Sequence, residues 1–518
     1  VTEVLRKWLW ELRRFGRRLR ASTALNQILA GPATRAIREA DIEARNRNFR
    51  KSIALLEALP DTSVTLERRA FNYLQARDFE GVLRIHARSI ELGCCTKKLR
   101  RINLEALANL DSKRTGEQSV EEIAGSHDDI DQLAYLFRYV RRCSPERVSE
   151  FSNSLIEHPD YRALTLVQKV MLAHDCLERG EIEKATQLQN DLRERDVRVA
   201  GSAVDLQLLA SQLQFKHGNY GGQVAAINLA LLAQGLSSVA LIDVGSPFAA
   251  NNIRGEVGPA TGALLNSVSV IMTARNSSAT IAYAIESILR QTHRNLELII
   301  IDDDSEDLTV ATAQRAIGSD ERAKIVSLPK NVGTYAARNV ALLHAKGEFV
   351  TCQDSDDWAH PQKLEKLTAS LAKSCDKIGA FSHHVRCSAV HGMHNRNGHY
   401  TRRDISSLLY RREKVVQAIG YYDEVRAGAD GEHQFRLERT FGSESLIDMP
   451  LTLNFVALSE TSLTGGGPFS IDDNTGSFSP LRNEYRRSYC AWHESASNLY
   501  LPHAPKNRAF PVPAELLP

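Results

Sequence analysis

The chain has 518 residues, more than one compact core holds, so two or three domains are expected. Its 65 lysines and arginines nearly balance 63 aspartates and glutamates, so no global charge argues for nucleic acid as a partner. With 43% hydrophobic and 25% charged residues, eight cysteines but no C-x-x-C pair, no secretory signal and no apolar run of about eighteen residues, the expectation is a soluble, cytoplasmic protein with reduced thiols.

Residues 1–40 form a basic N-terminal segment that reads as helical. Val4, Leu5, Trp8, Leu9, Leu12 and Phe15 share one helical face, and lysines and arginines cover most of the rest. Such a helix suits peripheral contact with an anionic surface at the inner membrane face, or packing of a terminal helix on its neighbours.

Residues 41–245 carry a helical signal throughout. Asn48-Phe49, Asp78-Phe79, Gly180-Glu181-Ile182 and Gly218-Asn219-Tyr220 each follow one helical run and open another. The recurrence is similar to tetratricopeptide-like helical hairpins, with a loop over residues 111–126. An α-solenoid, against a generic bundle, is expected to present a surface to a protein partner or to the rest of the chain. Residues 246–266, rich in Gly, Pro, Asn and Ala, read as a linker.

Strand and helix signals then alternate. Strands are predicted at 268–272, 296–301, 324–328 and 348–352, and helices beginning after Ser278, near Leu308 and at Gly333. This spacing means a mostly parallel, Rossmann-like α/β sheet over residues 267–467, with a C-terminal extension, residues 468–518, packed on it. Acidic residues end the second and fourth strands, so both clusters belong on one edge, flanking one crevice.

The fourth strand runs from Phe349 and Val350 directly into Asp354, Ser355, Asp356 and Asp357. Carboxylates crowded at the end of a buried strand are costly unless something positive sits among them. One reading is a solvated turn capping the next helix. The other is a seat for a divalent ion on a diphosphate, which needs only one or two protein carboxylates.

Four ordered blocks carry a resemblance: V-S-V-I-M-T-A-R-N, L-E-L-I-I-I-D-D-D-S-E-D, K-N-V-G-T-Y-A-A-R-N-V-A-L-L-H-A-K-G-E-F-V and Q-D-S-D-D-W. Together they resemble the successive blocks of family 2 glycosyltransferases with the GT-A fold, across residues 267–455. The resemblance implies an inverting transferase that uses a nucleotide-diphosphate sugar, UDP-sugar favoured, and Mn2+ or Mg2+. Thr273 and Arg275 stand where the family usually has Pro and Tyr.

The residues read the same way. Thr273 and Arg275 follow the first strand, where the nucleotide lies. Asp302, with Asp303 beside it, accepts from a pyrimidine imide N–H, or one of the two simply caps the next helix. Asn331 and Gly333 open a helix whose amino end, with Arg338, faces the pyrophosphate or the acidic cluster. Asp354, with Ser355, faces the ribose or the ion's water, and Asp356 binds the ion directly. The base aimed at the acceptor hydroxyl comes from R-A-G-A-D-G-E-H-Q-F-R-L, which resembles the family's E-D-x-x-L-x-x-R block with Ala429 in place of the first acid. Asp430 matches the base and Glu432 competes for the role. A late histidine, as in related transferases, makes His493 a third candidate metal ligand, against a structural role. His383, His384, His391, His394 and His399 match no common ligand spacing and read as a polar insertion or acceptor loop. Residues 462–468 read as a lid over the nucleotide or an ordinary loop. The acceptor is expected to be a polysaccharide or lipid-linked glycan; the rival reading is a helical scaffold carrying a catalytically silent GT-A domain.

Overall fold

The computed structural model describes residues 32–110, 130–195, 200–256, 266–458, 467–471 and 478–518. The amphipathic face of residues 4–15, the 111–126 loop and residues 462–466 of the lid reading lie outside the described residues. The chain divides into two compact units, Val1–Leu107 and Ala108–Pro518.

Recurring turn chemistry builds the first unit. Helices α1 (Pro32–Arg45), α2 (Phe49–Glu57), α3 (Ser63–Gln75), α4 (Phe79–Glu91) and α5 (Lys97–Leu110) follow one another through short turns. Arg47 (φ 61°) and Arg77 (φ 59°) take the left-handed conformation after α1 and α3. The next N–H then reaches back into the helix, Asn48 to the Glu43 carbonyl at 2.8 Å and Asp78 to that of Tyr73 at 2.9 Å, a helix stop that satisfies end carbonyls. Asp78 at once starts α4 by accepting the Gly81 N–H at 2.8 Å. A Cβ at Gly81 would run into the Tyr73 ring, so glycine is what lets α3 and α4 touch. Leu66, Ala70, Val82, Ile85 and Leu99 fill the core between them.

The second unit begins with more helices: α6 (Ile130–Cys143), α7 (Val148–Glu157), α8 (Leu166–Glu178), α9 (Ile182–Arg195), α10 (Ala200–Lys216) and α11 (Tyr220–Leu232). Each of the four helix-opening signals in the sequence starts a helix, α2, α4, α9 and α11 respectively. A small antiparallel pair follows, β1 (Val239–Leu241) with β2 (Ile253–Gly255).

The large sheet contains β3 (Val268–Ala274), β4 (Leu296–Asp302), β5 (Ala323–Ser327), β6 (Phe349–Cys352), β7 (Trp358–Ala359), β8 (Gly379–Ser388), β9 (Gly392–Met393), β10 (Thr401–Arg403), β11 (Leu409–Arg411) and β12 (Leu446–Ala457). Its order is β5-β4-β3-β6-β11-β8-β12-β7, with β9 and β10 paired to β8. β5, β4, β3 and β6 run parallel, as the β-branched runs between helical segments predict. Helices α12 (Ile281–Leu289), α13 (Thr309–Ile317), α14 (Thr334–His344), α15 (Lys363–Ala372), α16 (Arg412–Ile419), α17 (Ala429–Phe441) and α18 (Pro480–Ser495) complete it. Ala274 pairs with Asp302, so β3 and β4 end together; Cys352 pairs with Ile271, and the chain leaving β6 runs on to the same edge, which the acidic clusters share. Ile271, Ile299, Ile301, Val350, Ala337, Ala341 and Leu437 pack the core beneath that edge.

Helices α8 and α10 are keyed to the histidine-bearing insertion. Asp205 accepts the Tyr400 N–H at 2.9 Å, and His174 Nδ1 meets the Tyr400 hydroxyl at 2.9 Å. Gln212 bridges the His391 carbonyl (2.8 Å) and the Met393 N–H (2.7 Å). Gly398, at φ 90°, lies so close to the Val167 carbonyl that no Cβ fits. In this insertion a histidine-rich run is therefore partly a packing surface. No helix among the described residues is long and apolar enough to cross a membrane.

Burial pushes the His174 imidazole down to about 3, with Arg141 and Lys216 adding to the effect. The unfolded chain takes up that proton near pH 6.5 and the folded one refuses it, so His174 costs stability as pH falls from 6.5 toward 3, by about 1.4 kcal/mol per pH unit. His174→Gln is expected to melt below the parent at pH 7.5 and to lose less on acidification, so that the two melting curves converge between pH 6.5 and 4. Parallel pH profiles would refute the assignment.

Candidate active site

The crevice is built where β3, β4 and β6 end. After β3 and β4 the backbone passes through left-handed residues, Asn276 (φ 50°) and Asp304 (φ 62°), conformations that asparagine and aspartate tolerate best among non-glycine residues. Side chains then sew the two loops together. Asn276 accepts the Glu306 N–H at 2.9 Å, Ser305 Oγ accepts that of Asn276 at 3.0 Å, and Asp307 accepts that of Ser278 at 3.0 Å. Thr273 is half-buried and Arg275 exposed at this rim.

The two aspartates ending β4 do different work. Asp303 accepts the Val332 and Gly333 N–H groups, at 2.7 and 2.8 Å, with its two oxygens. It thereby fixes the turn into α14, where Asn331 also accepts from Gly333 at 3.0 Å. Asp302 is 5% exposed, yet its Oδ1 has no hydrogen-bond partner among the described residues. A buried carboxylate oxygen without a donor is costly, so this is the group a ligand N–H would satisfy.

The acidic cluster carries its positive charge on two sides. Arg338, 3% exposed on α14, donates to Asp354 Oδ1 at 2.7 Å. Behind the strand, fully buried Lys363 donates to Gln353 Oε1 at 2.8 Å. Gln353 in turn donates to Asn454 (3.2 Å), and Asn454 to Asp404 (3.1 Å). Ser355 Oγ lies 3.0 Å from Ser277 Oγ, tying the cluster to the β3 loop. Asp356 is compensated less: burial first, then the neighbouring Asp354 carboxylate, push it up to about 6, against a weaker pull from its own backbone and from Arg386. Asp357 is held well above the carboxylate range by burial and by Asp356, Asp354 and Asp404, and its carboxylate accepts the Ala457 N–H at 3.0 Å.

Across the crevice, Asp430 lies in the first turn of α17. Its Oδ1 accepts from the Tyr335 hydroxyl and the Gly431 N–H, both at 2.9 Å, and Oδ2 has no partner among the described residues. Tyr335 and Arg338 stand one turn apart on α14, the guanidinium 5.3 Å from the ring centroid. One helix face thus connects Asp430 with Asp354.

Glu432 points the other way. It is fully buried, bonded to Arg436 at 2.9 Å and to His493 Nε2 at 2.9 Å. Burial raises its pKa, but Arg436 and His493 outweigh that and hold the carboxyl below its usual range. His493 is 3% exposed, and among the described residues no three His, Cys, Asp or Glu side chains converge to hold a metal. His493 therefore does not join Asp354 and Asp356; it belongs to the Glu432–Arg436 pair, and sequence reasoning had no signal for a partner 61 residues away.

Sequence reasoning also missed Tyr335, Gln353, Lys363, Asp404 and Asn454. Only Tyr335 left a trace, three residues before Arg338 on a predicted helix.

The family match covers the acidic side of this crevice and ends before α17. Residues 269–423 match the model of glycosyl transferase family 2. This stretch is a family 2 glycosyltransferase domain. The fold around it is GT-A-like, a mostly parallel sheet with the helical region preceding it. The chain is 43% identical over 107 residues to the putative glycosyltransferase EpsE of Bacillus subtilis, covering 20% of this chain and 38% of that protein. It is 39% identical over 107 residues to the UDP-Glc:alpha-D-GlcNAc-diphosphoundecaprenol beta-1,3-glucosyltransferase WfgD of Escherichia coli, covering 21% and 42%. The chain thus spans about two fifths of the length of these curated relatives. Among solved structures, S. aureus TarS in complex with UDP-GlcNAc aligns at a TM-score of 0.32 with 19% identity, over 38% of this chain and 60% of that one, too low a likeness to carry weight.

The buried ion pair on α17 has a measurable consequence. Glu432→Gln leaves the Arg436 guanidinium buried without its counter-charge, which costs about 3–5 kcal/mol. Thermal unfolding of this variant is expected well below the parent. An unchanged melting temperature would show that Glu432 is not the structural partner of Arg436.

Proposed function

We propose that the chain is a metal-dependent, inverting glycosyltransferase that moves a sugar from a nucleotide-diphosphate donor, UDP-sugar favoured, to a polysaccharide or lipid-linked glycan. The observation that carries the reading is the α14 face, on which Tyr335 holds Asp430 and Arg338 holds Asp354 across one crevice. The Escherichia coli relative is named for a UDP-Glc donor and a diphosphoundecaprenol-linked acceptor, which supports that donor and acceptor class here.

The donor set fits a hard divalent ion, Mn2+ or Mg2+. Asp354 and Asp356 offer carboxylate oxygens, and Asp356, crowded by like charge, gains most from a cation. When bound, the ion supplies Lewis-acid stabilisation to the charge that develops on the leaving diphosphate. The chain's own groups do the rest. Asp302 Oδ1 accepts the imide N–H of the uracil, with Thr273 and Arg275 at the same rim. Asp303, Asn331 and Gly333 hold the amino end of α14 in place, and Ser355 steadies the acidic loop from the β3 side. Arg338 keeps Asp354 oriented.

Asp430 is the base. Its Oδ1 is fixed by Tyr335 and Gly431, which leaves Oδ2 to take the acceptor's hydroxyl proton. As the proton moves to Asp430, the hydroxyl oxygen forms a bond to the anomeric carbon. The bond from that carbon to the diphosphate oxygen breaks on the opposite face, and the configuration inverts. Glu432 and His493 position this helix turn and transfer no proton. The helical first unit is assigned to partner docking.

Asp430→Asn keeps size and the Tyr335 contact but cannot accept a proton. Transfer is expected to fall by about 10²–10⁴-fold with donor affinity and melting temperature nearly constant. Full transfer activity in this variant would remove the base assignment, and no measurable transfer by the parent with any nucleotide sugar would favour a silent domain.

A further inference from the structure

The helix that carries the candidate base begins without a cap. Gly428, just before α17, takes the left-handed conformation (φ 93°) and has no side chain to offer the helix end. The N–H of Gly431 goes to Asp430 Oδ1, while those of Ala429 and Asp430 have no partner among the described residues. An uncapped helix end combines free donors with partial positive charge, which together favour an oxyanion.

A guanidinium reaches the same place from α18. Arg482 is 8% exposed, and its Nη1 lies 3.7 Å from where a Cβ on Gly428 would stand. Its Nε–H donates to the Phe469 carbonyl at 2.5 Å, but Nη1 and Nη2 have neither a hydrogen-bond partner nor an acid among the described residues. The buried acids of neighbouring groups are engaged elsewhere. Asp423 accepts from Arg508 (2.6 Å) and Tyr485 (3.0 Å), Glu432 is held by Arg436 and His493, and Asp354 by Arg338. Arg482 also acts on the residue that holds the base: burial and the Asp430 carboxylate raise the Tyr335 phenol, and Arg338 and Arg482 oppose them. Of these two guanidiniums, one is paired with Asp354 and the other with no acid. A charge so largely removed from water is costly unless an anion meets it.

We propose that the acceptor carries a phosphate, seated between the Arg482 guanidinium and the amino end of α17, beside the hydroxyl that reacts. The inference rests on the glycosyltransferase reading and deepens it by naming the acceptor's chemical class, a phosphate-bearing glycan or a lipid-linked diphosphate. A phosphate suits the seat better than a carboxylate. The donors come from two helices, and a tetrahedral group has oxygens for both the guanidinium fork and the N–H groups. Asp430 adds a like charge at this seat, which Arg482 offsets.

The test follows the phosphorus-31 signal of methyl phosphate with the full chain, in chelator-treated buffer so that no divalent ion recruits the probe to Asp354 and Asp356. UDP with magnesium, read by its own phosphorus signals, is the control for the donor site. The parent is expected to broaden the methyl phosphate signal, and saturating UDP–magnesium to leave that binding in place. Affinity is expected to fall at least about tenfold in Arg482→Gln and to return in part in Arg482→Lys, with UDP binding unchanged in both. Asp430→Asn, which removes the like charge, is expected to bind methyl phosphate about threefold more tightly or better. It decides the matter if Arg482→Gln has lost UDP binding, and unchanged or weaker binding in it then overturns the seat. A parent that binds UDP but not methyl phosphate also overturns it, as does binding that a UDP-competent Arg482→Gln leaves unchanged. Loss of methyl phosphate binding on adding UDP–magnesium shows that the donor's diphosphate occupies the seat and overturns the acceptor assignment. Arg482-dependent binding in a parent that ignores UDP and magnesium overturns the donor reading and leaves the phosphate seat standing.

Discussion

The structure depends on how three carboxylates are kept at the end of a buried strand. β6 delivers Asp354, Asp356 and Asp357 to one loop, and Asp356 and Asp357 are both held above the ordinary carboxylate range. Arg338 neutralises Asp354 from α14, and Lys363 supports the strand from behind through Gln353 and Asn454. Removing charges of this kind from water costs several kcal/mol per ion, so compensation has to be geometric as well as electrostatic. What remains least compensated is Asp356, and that is why the proposed reading seats a divalent ion and a diphosphate at this loop.

The same economy explains the placement of α14. Its amino end is fixed by Asp303, and its next two turns carry Tyr335 and Arg338 toward Asp430 and Asp354. Asn339, one residue further, bonds both the N–H and the carbonyl of Tyr422 at 2.9 Å, which locks the helix to the segment leading into α17. A single helix thereby sets the distance between the candidate base and the carboxylates of the acidic loop. Positioning of this kind, more than any one group's reactivity, is what converts a crevice into a reaction site.

Much of this was legible because the signals are local. Runs such as Val268–Ala274 and Leu296–Asp302 are β-branched and bounded by turn residues, so strand position and parallel order follow from periodicity and spacing. The helix openings at Phe49, Phe79, Ile182 and Tyr220 each follow a left-handed residue, and Asp78 and Asn219 cap the second and the fourth. The remainder depends on contacts between distant segments. Asp302 and Asp303 are indistinguishable in sequence, and only the return of the chain at Val332 and Gly333 gives Asp303 its partners and leaves Asp302 Oδ1 without one. Asp430 and Glu432 lie about 200° apart around α17, so one turns to the crevice and the other to the core, but the sequence does not say which. His493 was open to a metal role until its neighbour proved to be Glu432. Likewise, nothing periodic indicates that α8 and α10 meet the insertion at His391 to Tyr400.

The central proposal is that Asp356, the least compensated carboxylate of the loop, takes a cation. Its folded pKa of about 6 lies above the ordinary carboxylate value, so its ionised form disfavours the folded state as pH rises from about 4 to 6, by roughly 3 kcal/mol in full at pH 8. The direct measurement compares the full chain with Asp356→Asn, in thermal unfolding without metal at pH 8 and in calorimetric titration of UDP with manganese. The account predicts that the metal-free variant melts at or above the parent while its UDP–manganese affinity drops by about 30-fold or more. Unchanged affinity together with a lower melting temperature would contradict it.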